Sequence, residues 1–151
     1  LRAMNEELVQ VVAGSGEFAT CVLVRLNASN GSAEWGSAGH DPPVTVHADG
    51  RVESLEGGDV PLGVVAGGTY DTQSVSLDRD ARLVLYTDGA HEAANADGEL
   101  FGRARLFRAL ARAGAETPAE TLKSAVSALE QFTAKRAFGD DVTLLCVARR
   151  P

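Results

Sequence analysis

Cysteines, long apolar runs and basic charge are all scarce in this chain of 151 residues. The two cysteines, Cys21 and Cys146, form neither a disulfide framework nor a C-x-x-C metal spacing, so both are predicted to be buried small hydrophobic residues. No apolar run is long enough to span a bilayer, and the first residues lack the basic-then-apolar layout of a signal peptide. The sequence therefore favours a protein of the cytoplasm without a membrane contact.

Acidic residues outnumber basic ones, with 21 Asp and Glu against 14 Lys and Arg, which gives a net charge of −7. This excess argues against nucleic acid and anionic lipid as partners, because both are polyanions. It is compatible with a protein that holds divalent cations. The hydrophobic content of 44% is enough for a real core, and the length corresponds to one domain or most of one.

Clustered strands joined by short turns dominate the predicted secondary structure. Alternation and β-forming residues predict strands over residues 18–26, 33–38, 44–47, 51–55, 70–77, 82–86 and 142–148. Helical spacing predicts helices over residues 5–12 and 101–113. Hairpin connections between neighbouring strands favour an α+β fold with antiparallel sheet over a parallel βαβ arrangement.

A capping box, Thr117-Pro118-Ala119-Glu120, predicts the start of another helix. The residues that follow place Leu122, Val126, Leu129 and Phe132 on one face at helical spacing. That face is expected to be the buried one.

Two strand ends carry acidic residues. The strand that ends in Leu85-Tyr86-Thr87 runs into Asp88-Gly89, and the last strand is preceded by Gly139-Asp140-Asp141. If these strands are antiparallel neighbours, the end of one lies beside the start of the other, and the three carboxylates meet at one edge of a sheet. Oxygen ligands select Mg²⁺ or Mn²⁺ over zinc. The alternative is that these aspartates only shape their turns by accepting backbone hydrogen bonds.

Two histidines are further candidates for a site. His40 lies in a tight turn before Pro42-Pro43, where it is expected to hydrogen-bond the turn, with a role in a site as the alternative. His91 follows Asp88 closely, so it either contacts substrate or a metal-bound water or is an ordinary loop residue.

Six segments, in this order and spacing, resemble the SpoIIE/RsbU-type serine phosphatases of bacteria, a branch of the metal-dependent type 2C protein phosphatases. The matching segments are Phe18-Ala19-Thr20, Ala38-Gly39-His40-Asp41-Pro42-Pro43, Pro61-Leu62-Gly63, Tyr86-Thr87-Asp88-Gly89 with Glu92-Ala93, Gly98-Glu99-Leu100-Phe101-Gly102, and Gly139-Asp140-Asp141-Val142-Thr143-Leu144-Leu145. Each is weak alone, and together they are specific.

The resemblance implies an antiparallel β-sandwich flanked by helices, with two Mn²⁺ or Mg²⁺ ions held by aspartates at one edge of the sandwich. It assigns metal-binding and catalytic roles to Asp88 and Asp140, with Asp141 next to the ligand as a further metal-site residue. Water activated by the metals would attack the phosphorus of a phosphoserine or phosphothreonine without a covalent enzyme intermediate. The implied partner is a phosphorylated regulatory protein of the anti-sigma-factor antagonist type.

The chain departs from the family pattern at its start, because the Gly-Asp-x-x-Asp and Asp-Val-x-Gly-x-Gly motifs of the family are not present. Residues 1–151 are therefore expected to be a single, N-terminally truncated phosphatase domain. With about half the ligands, the chain alone is expected to bind metal weakly and to have little activity. Open sheet edges predict a possible homodimer. The alternatives are a catalytically incomplete binding module in sigma-factor regulation, or an unrelated α+β domain.

Overall fold

The computed structural model describes residues 1–112 and 117–149. In chain order, the elements found there are α1 (Arg2–Val11), β1 (Cys21–Leu26), β2 (Ser32–Ala38), β3 (Val44–Val46), β4 (Val52–Ser54), β5 (Gln73–Ser76), β6 (Arg82–Tyr86), α2 (Gly89–Glu92), α3 (Gly102–Ala111), α4 (Pro118–Phe132) and β7 (Leu144–Ala148). Every pairing between these strands is antiparallel, which confirms the predicted α+β class. Over the same two ranges, no helix combines the length and apolar content needed to cross a membrane.

Contacts divide the chain into two compact units, of which the first comprises residues 1–42 and 55–76. It contains α1 and a sheet of three strands in the order β1-β2-β5. The central strand β2 is the best buried of the three, with Ala33, Trp35 and Ala38 in the core. The edge strand β1 begins at Cys21, later than predicted, and the expected first residue Phe18 is 61% exposed. Ala19 still makes an isolated bridge to Leu62.

The second unit comprises residues 43–54 and the chain from residue 77 onward. Its four-stranded sheet has the order β4-β3-β6-β7, and β3 and β4 form the predicted hairpin around Ala48-Asp49-Gly50. Apolar side chains of the two central strands and of helices α2, α3 and α4 form one core, which contains Val44, Val46, Val84, Tyr86, Ala90, Ala93, Phe101, Leu106, Leu110, Ala125 and Leu129. This core fixes β6, and with it the position where β6 ends.

Helix α4 begins with the predicted capping box, in which Thr117 N donates to Glu120 Oε2 at 2.9 Å and Glu120 N donates to Thr117 Oγ1 at 3.3 Å. The predicted buried face was wrong in part. Thr121, Ala125 and Leu129 are the fully buried residues, whereas Val126 is 39% exposed. The helix is rotated because Thr121 accepts a 3.0 Å hydrogen bond from the buried Arg82 guanidinium, so a small polar residue faces the core.

Both cysteines are free, and both are partly buried rather than buried as predicted. Cys146 lies on β7 beside the core, and burial raises the pKa of its thiol, although the nearby Arg82 opposes the rise. A thiol in this environment stays protonated and packs as a hydrophobic side chain.

Candidate active site

Strands β6 and β7 pair antiparallel along their whole length, from Arg82 with Ala148 to Tyr86 with Leu144. The pairing continues beyond the strands, because Thr87 N donates a 3.1 Å hydrogen bond to the carbonyl oxygen of Thr143. Asp88 therefore lies just past the end of β6, at the sheet edge where the segment Asp140–Asp141 leads into β7. The predicted pairing that brings the two strand ends together is confirmed. The meeting of the three carboxylates and their roles stay predictions.

The Thr87 hydroxyl connects the two acidic segments directly. It donates a hydrogen bond of 3.0 Å to the carbonyl oxygen of Asp141 and accepts one of 2.9 Å from the backbone N–H of Thr143. Two further backbone groups are thus satisfied beyond the regular ladder, which holds the segment before β7 against the residue before Asp88. This role of Thr87 is not evident from the sequence, since a threonine at a strand end carries no distinctive pattern.

Gly89 lies in backbone contact with the second acidic segment. A Cβ atom at this position would lie 2.6 Å from the carbonyl oxygen of Asp141 and 3.4 Å from the carbonyl carbon of Asp140. Only a glycine leaves room for this approach. The sequence indicated an Asp-Gly turn here, and the space available explains the glycine, which is the first residue of α2.

The carboxylates of Asp88 and Asp140 each accept one local backbone hydrogen bond. Asp88 caps α2 by accepting from Gly89 N at 3.0 Å, and Asp140 Oδ1 accepts from Asp141 N at 2.7 Å. The turn roles considered in the sequence analysis are therefore real. All three aspartates are exposed, and a carboxylate offers about four acceptor positions, so each retains capacity for another ligand.

Carboxylate oxygens are the type of donor atom that a hard divalent cation prefers, but few of them are present here. Carboxylate oxygens suit Mg²⁺ and Mn²⁺, and Mg²⁺ in proteins keeps several waters and often uses only one or two carboxylates. Within residues 1–112 and 117–149, however, no group of three or more His, Cys, Asp or Glu side chains is arranged to hold a metal ion. The described residues therefore fit a cation site in donor type only and do not form a complete one, so the ligand roles of Asp88, Asp140 and Asp141 stay predictions.

A cleft of about 410 Å³ opens beside this edge of the sheet, and we call it the Asp140 cleft. Its lining includes Gly89, Glu92, Ala93, Arg136 and Asp140. Small residues form much of its wall, and the charged groups are two carboxylates and one guanidinium. A larger cavity of about 630 Å³ lies among residues of the first unit and contains none of the three aspartates. The chemistry of the Asp140 cleft makes it the better candidate site, despite its smaller volume.

Arg105, on α3, connects two segments of the second unit. Its guanidinium hydrogen-bonds Glu99 and donates to the carbonyl oxygens of Leu100 and Phe101 at 3.0 Å each. It also lies 4.9 Å from the ring centroid of Phe132, which packs edge-on against Phe101. Arg105 thus joins the segment after α2 to the end of α4.

The two candidate histidines differ in their surroundings. His91, on α2, packs its ring edge-on against the buried Tyr86 at a centroid distance of 6.0 Å. In the first unit, the backbone of His40 exchanges hydrogen bonds with Ser37 Oγ, which confirms that the turn is hydrogen-bonded. The His40 ring itself lies 3.4 Å from Thr20 Oγ1. A role for either histidine in a site stays a prediction.

Comparison with known proteins gives the chain a family. The sequence model of the family described as Stage II sporulation protein E (SpoIIE) matches residues 1–150. Protein IcfG of Synechocystis sp. is 28% identical over 110 residues, which cover 73% of this chain and 17% of IcfG.

Solved structures of similar fold include the RsbU and RsbW domains of Rv1364c from Mycobacterium tuberculosis, with a TM-score of 0.73, 26% identity, and coverage of 94% of this chain and 40% of that one. The phosphatase domain of SpoIIE from Bacillus subtilis, described as Mn presoaked, has a TM-score of 0.68 and 14% identity. The match covers 97% of this chain and 73% of that chain. The chain spans less than half of IcfG and of the Rv1364c structure. It belongs to the SpoIIE family, as a domain of the SpoIIE/RsbU type with the PP2C phosphatase fold.

Proposed function

We propose that this domain, within its full-length protein, hydrolyses phosphoserine or phosphothreonine on a regulatory protein by divalent-metal catalysis. The observation that carries the proposal is the meeting of Asp88 with the Asp140–Asp141 segment at one sheet edge, beside the Asp140 cleft. Membership in the SpoIIE family supports the reaction class.

Asp88 and Asp140 are the residues that we assign to cation binding, with Asp141 as a further metal-site residue. Mn²⁺ or Mg²⁺ at this edge would supply a coordinated water of lowered pKa and positive charge for a phosphoryl group. The fold itself positions the acidic segments and gives the substrate access to them. Thr87 and Gly89 fix the distance between the two acidic segments, and the adjacent cleft gives a phosphorylated side chain access to the Asp140 carboxylate. No nucleophilic side chain is required, so no covalent enzyme intermediate forms.

The substrate that we propose is a small phosphorylated protein of the anti-sigma-factor antagonist type, in a cytoplasmic signalling pathway. The support is the family and one similar structure, in which an RsbU domain and an RsbW domain occur together in Rv1364c. The net charge of −7 is consistent with a protein partner rather than a nucleic acid.

A second candidate function is a binding module that holds such a partner without turnover. The observation that favours it is the small number of ligands, since the described residues contain no cluster of three metal-binding side chains. For the same reason we expect the 151-residue chain alone to bind Mn²⁺ weakly and to hydrolyse phosphopeptides slowly.

The decisive experiment measures Mn²⁺-dependent hydrolysis of a phosphoserine peptide by the full-length protein and by its Asp88→Asn and Asp140→Asn variants. We expect each substitution to lower kcat at least about a hundredfold, because a lost carboxylate ligand weakens metal binding and charge stabilisation. Asp80→Asn is a matched control. Asp80 has a positive φ of 64°, which asparagine also adopts readily, and it precedes the opposite end of β6. Full activity of both active-site variants would show that the assigned aspartates are wrong, and metal binding without any turnover would favour the binding module.

A further inference from the structure

Arg136 lies in a tight turn after α4, where the backbone is held firmly. Lys135 N donates a 2.8 Å hydrogen bond to the carbonyl oxygen of Glu130, and Arg136 N donates one of 3.1 Å to that of Thr133. Ala134 and Lys135 both have positive φ angles, of 52° and 59°. Left-handed residues in succession reverse the chain at the end of the helix and place Arg136 in the lining of the Asp140 cleft.

The Arg136 guanidinium is exposed and forms no hydrogen bond or ion pair with any residue of the described ranges. Other arginines of the chain do have acidic partners. Arg105 pairs with Glu99, and Arg51 pairs with Glu53. Arg136 thus keeps its full set of donors available on the wall of a cleft, in a protein whose net charge is −7.

The Asp140 cleft is large enough for a short stretch of polypeptide. Its volume of about 410 Å³ falls within the range of roughly 300–1,000 Å³ found for ligand sites. Glycine and alanine residues form much of the wall and leave the charged groups as the features that distinguish one ligand from another. Glu92 and Asp140 repel an acidic group, and Arg136 attracts it.

We propose that Arg136 determines substrate specificity by pairing with an acidic side chain next to the phosphorylated residue. This inference rests on the proposed function, which places the phosphoryl group at Asp88 and Asp140. Arg136 and Asp140 both line the cleft, so a polypeptide with its phosphoryl group at Asp140 can present a neighbouring group to Arg136. A guanidinium fork binds a carboxylate through two parallel hydrogen bonds, so the contact selects for geometry as well as charge.

The test uses the full-length, Mn²⁺-loaded protein and synthetic phosphoserine peptides that carry Glu, Gln or Lys beside the phosphoserine. One series places the variable residue before the phosphoserine, and the other places it after. In at least one series we expect the wild-type KM for the Glu peptide to be about fivefold lower than for the Lys peptide, with kcat unchanged. Arg136→Glu should reverse the order of the KM values, and Arg136→Lys should retain the preference in weaker form.

Arg79→Glu makes the same charge change at a distant position and should leave the preference of the wild type intact. Arg79 is exposed and precedes β6, whose five residues separate it by about 15 Å or more from the edge at Asp88. Identical peptide rankings for the wild type and Arg136→Glu in both series would overturn the proposal.

A second measurement keeps this result separate from the proposed function. If the peptides are not hydrolysed, fluorescence anisotropy gives their dissociation constants directly. If the protein shows no turnover but Arg136→Glu still reverses the order of the dissociation constants, the phosphatase proposal fails and the Arg136 contact stands. If turnover is normal and the order does not change, the Arg136 contact fails alone.

Discussion

The hydroxyl of Thr87 donates a 3.0 Å hydrogen bond to the carbonyl oxygen of Asp141, a residue 54 positions later in the chain. The same hydroxyl accepts from Thr143 N at 2.9 Å. One side chain therefore satisfies two backbone groups of the segment that carries Asp140 and Asp141, immediately beside Asp88. The spacing between the two acidic segments depends on this contact and on the missing side chain of Gly89.

Thr87→Val tests the first of these contacts, because valine keeps the shape of threonine but cannot form either hydrogen bond. We expect the free energy of unfolding to fall by about 1–2 kcal/mol, since two backbone groups lose their partner. Urea denaturation measures this change. Thr143→Val is the control, because the Thr143 side chain forms no hydrogen bond with the described residues. An equal effect of both substitutions would mean that the bridge contributes nothing specific.

Gly89→Ala tests the close approach of the two backbones. The added Cβ would lie 2.6 Å from the Asp141 carbonyl oxygen, so the two segments must separate. We expect a loss of about 1–3 kcal/mol in the free energy of unfolding, which is typical of overpacking. In the full-length protein, Mn²⁺ affinity measured by calorimetry should fall as well. Gly139→Ala is a matched control in the same region, because a Cβ at Gly139 meets no atom within 4 Å. Unchanged stability of Gly89→Ala would contradict the assignment.

Asp140 and Asp141 are adjacent, but we expect them to differ in their contribution to metal binding. Asp140→Asn should weaken Mn²⁺ binding by the full-length protein at least about tenfold, because it removes the carboxylate that we propose as a direct ligand. Asp141→Asn should weaken binding less, since in the proposed site Asp141 follows the ligand. Isothermal titration with Mn²⁺ measures both variants. A larger loss of Mn²⁺ affinity for Asp141→Asn than for Asp140→Asn would show that Asp141 is the direct ligand instead.

We expect the capping box of α4 to make a pH-dependent contribution to stability through the Glu120 carboxylate. Hydrogen bonding to the backbone N–H of Thr117, and then to its hydroxyl, lowers the pKa of this carboxyl below its usual value of 4.5. A lowered pKa in the folded state means that the contribution is fully present above pH 4.5 and is lost as the pH falls below that value toward the folded pKa. The Tm difference between the wild type and Glu120→Gln should therefore shrink in that acidic range.

Glu130→Gln is the matched control for this titration. Glu130 lies on the same helix and is exposed, and its side chain forms no hydrogen bond with the described residues. Its Tm difference from the wild type should show no comparable change over the same pH range. A pH-independent difference for Glu120→Gln would show that the capping box has no electrostatic part.

The acidic edge and the capping box were predictable from the sequence because each is encoded locally. A buried strand that runs into Asp88-Gly89 and a strand that begins after Asp140–Asp141 identify both halves of the candidate site. The antiparallel pairing that joins them was an inference from short connections, and the register of β6 with β7 confirms it. Turn chemistry at Thr117 and Glu120 likewise needs no information from distant residues.

Features that depend on distant contacts were not predictable. Periodicity placed Val126 in the core, but the buried Arg82 turns α4 so that Thr121 and Ala125 face inward instead. The short helix α2 was missed because four residues carry too little periodicity. Arg136 was missed because a basic residue beside Lys135 is indistinguishable in sequence from an ordinary solvated charge. Only the surrounding fold shows that it lines a cleft.

The Thr87–Asp141 contact also determines when the acidic edge is assembled during synthesis. Asp88 leaves the ribosome more than 50 residues before Asp141, and the two helices α3 and α4 lie between them. Helices form from local contacts, whereas closing a loop of this length is slower and loses more chain entropy. A nascent chain therefore contains Asp88 in an unpaired strand end until the last strand has emerged. A chain arrested before that point is expected to retain helical structure but not the paired acidic edge.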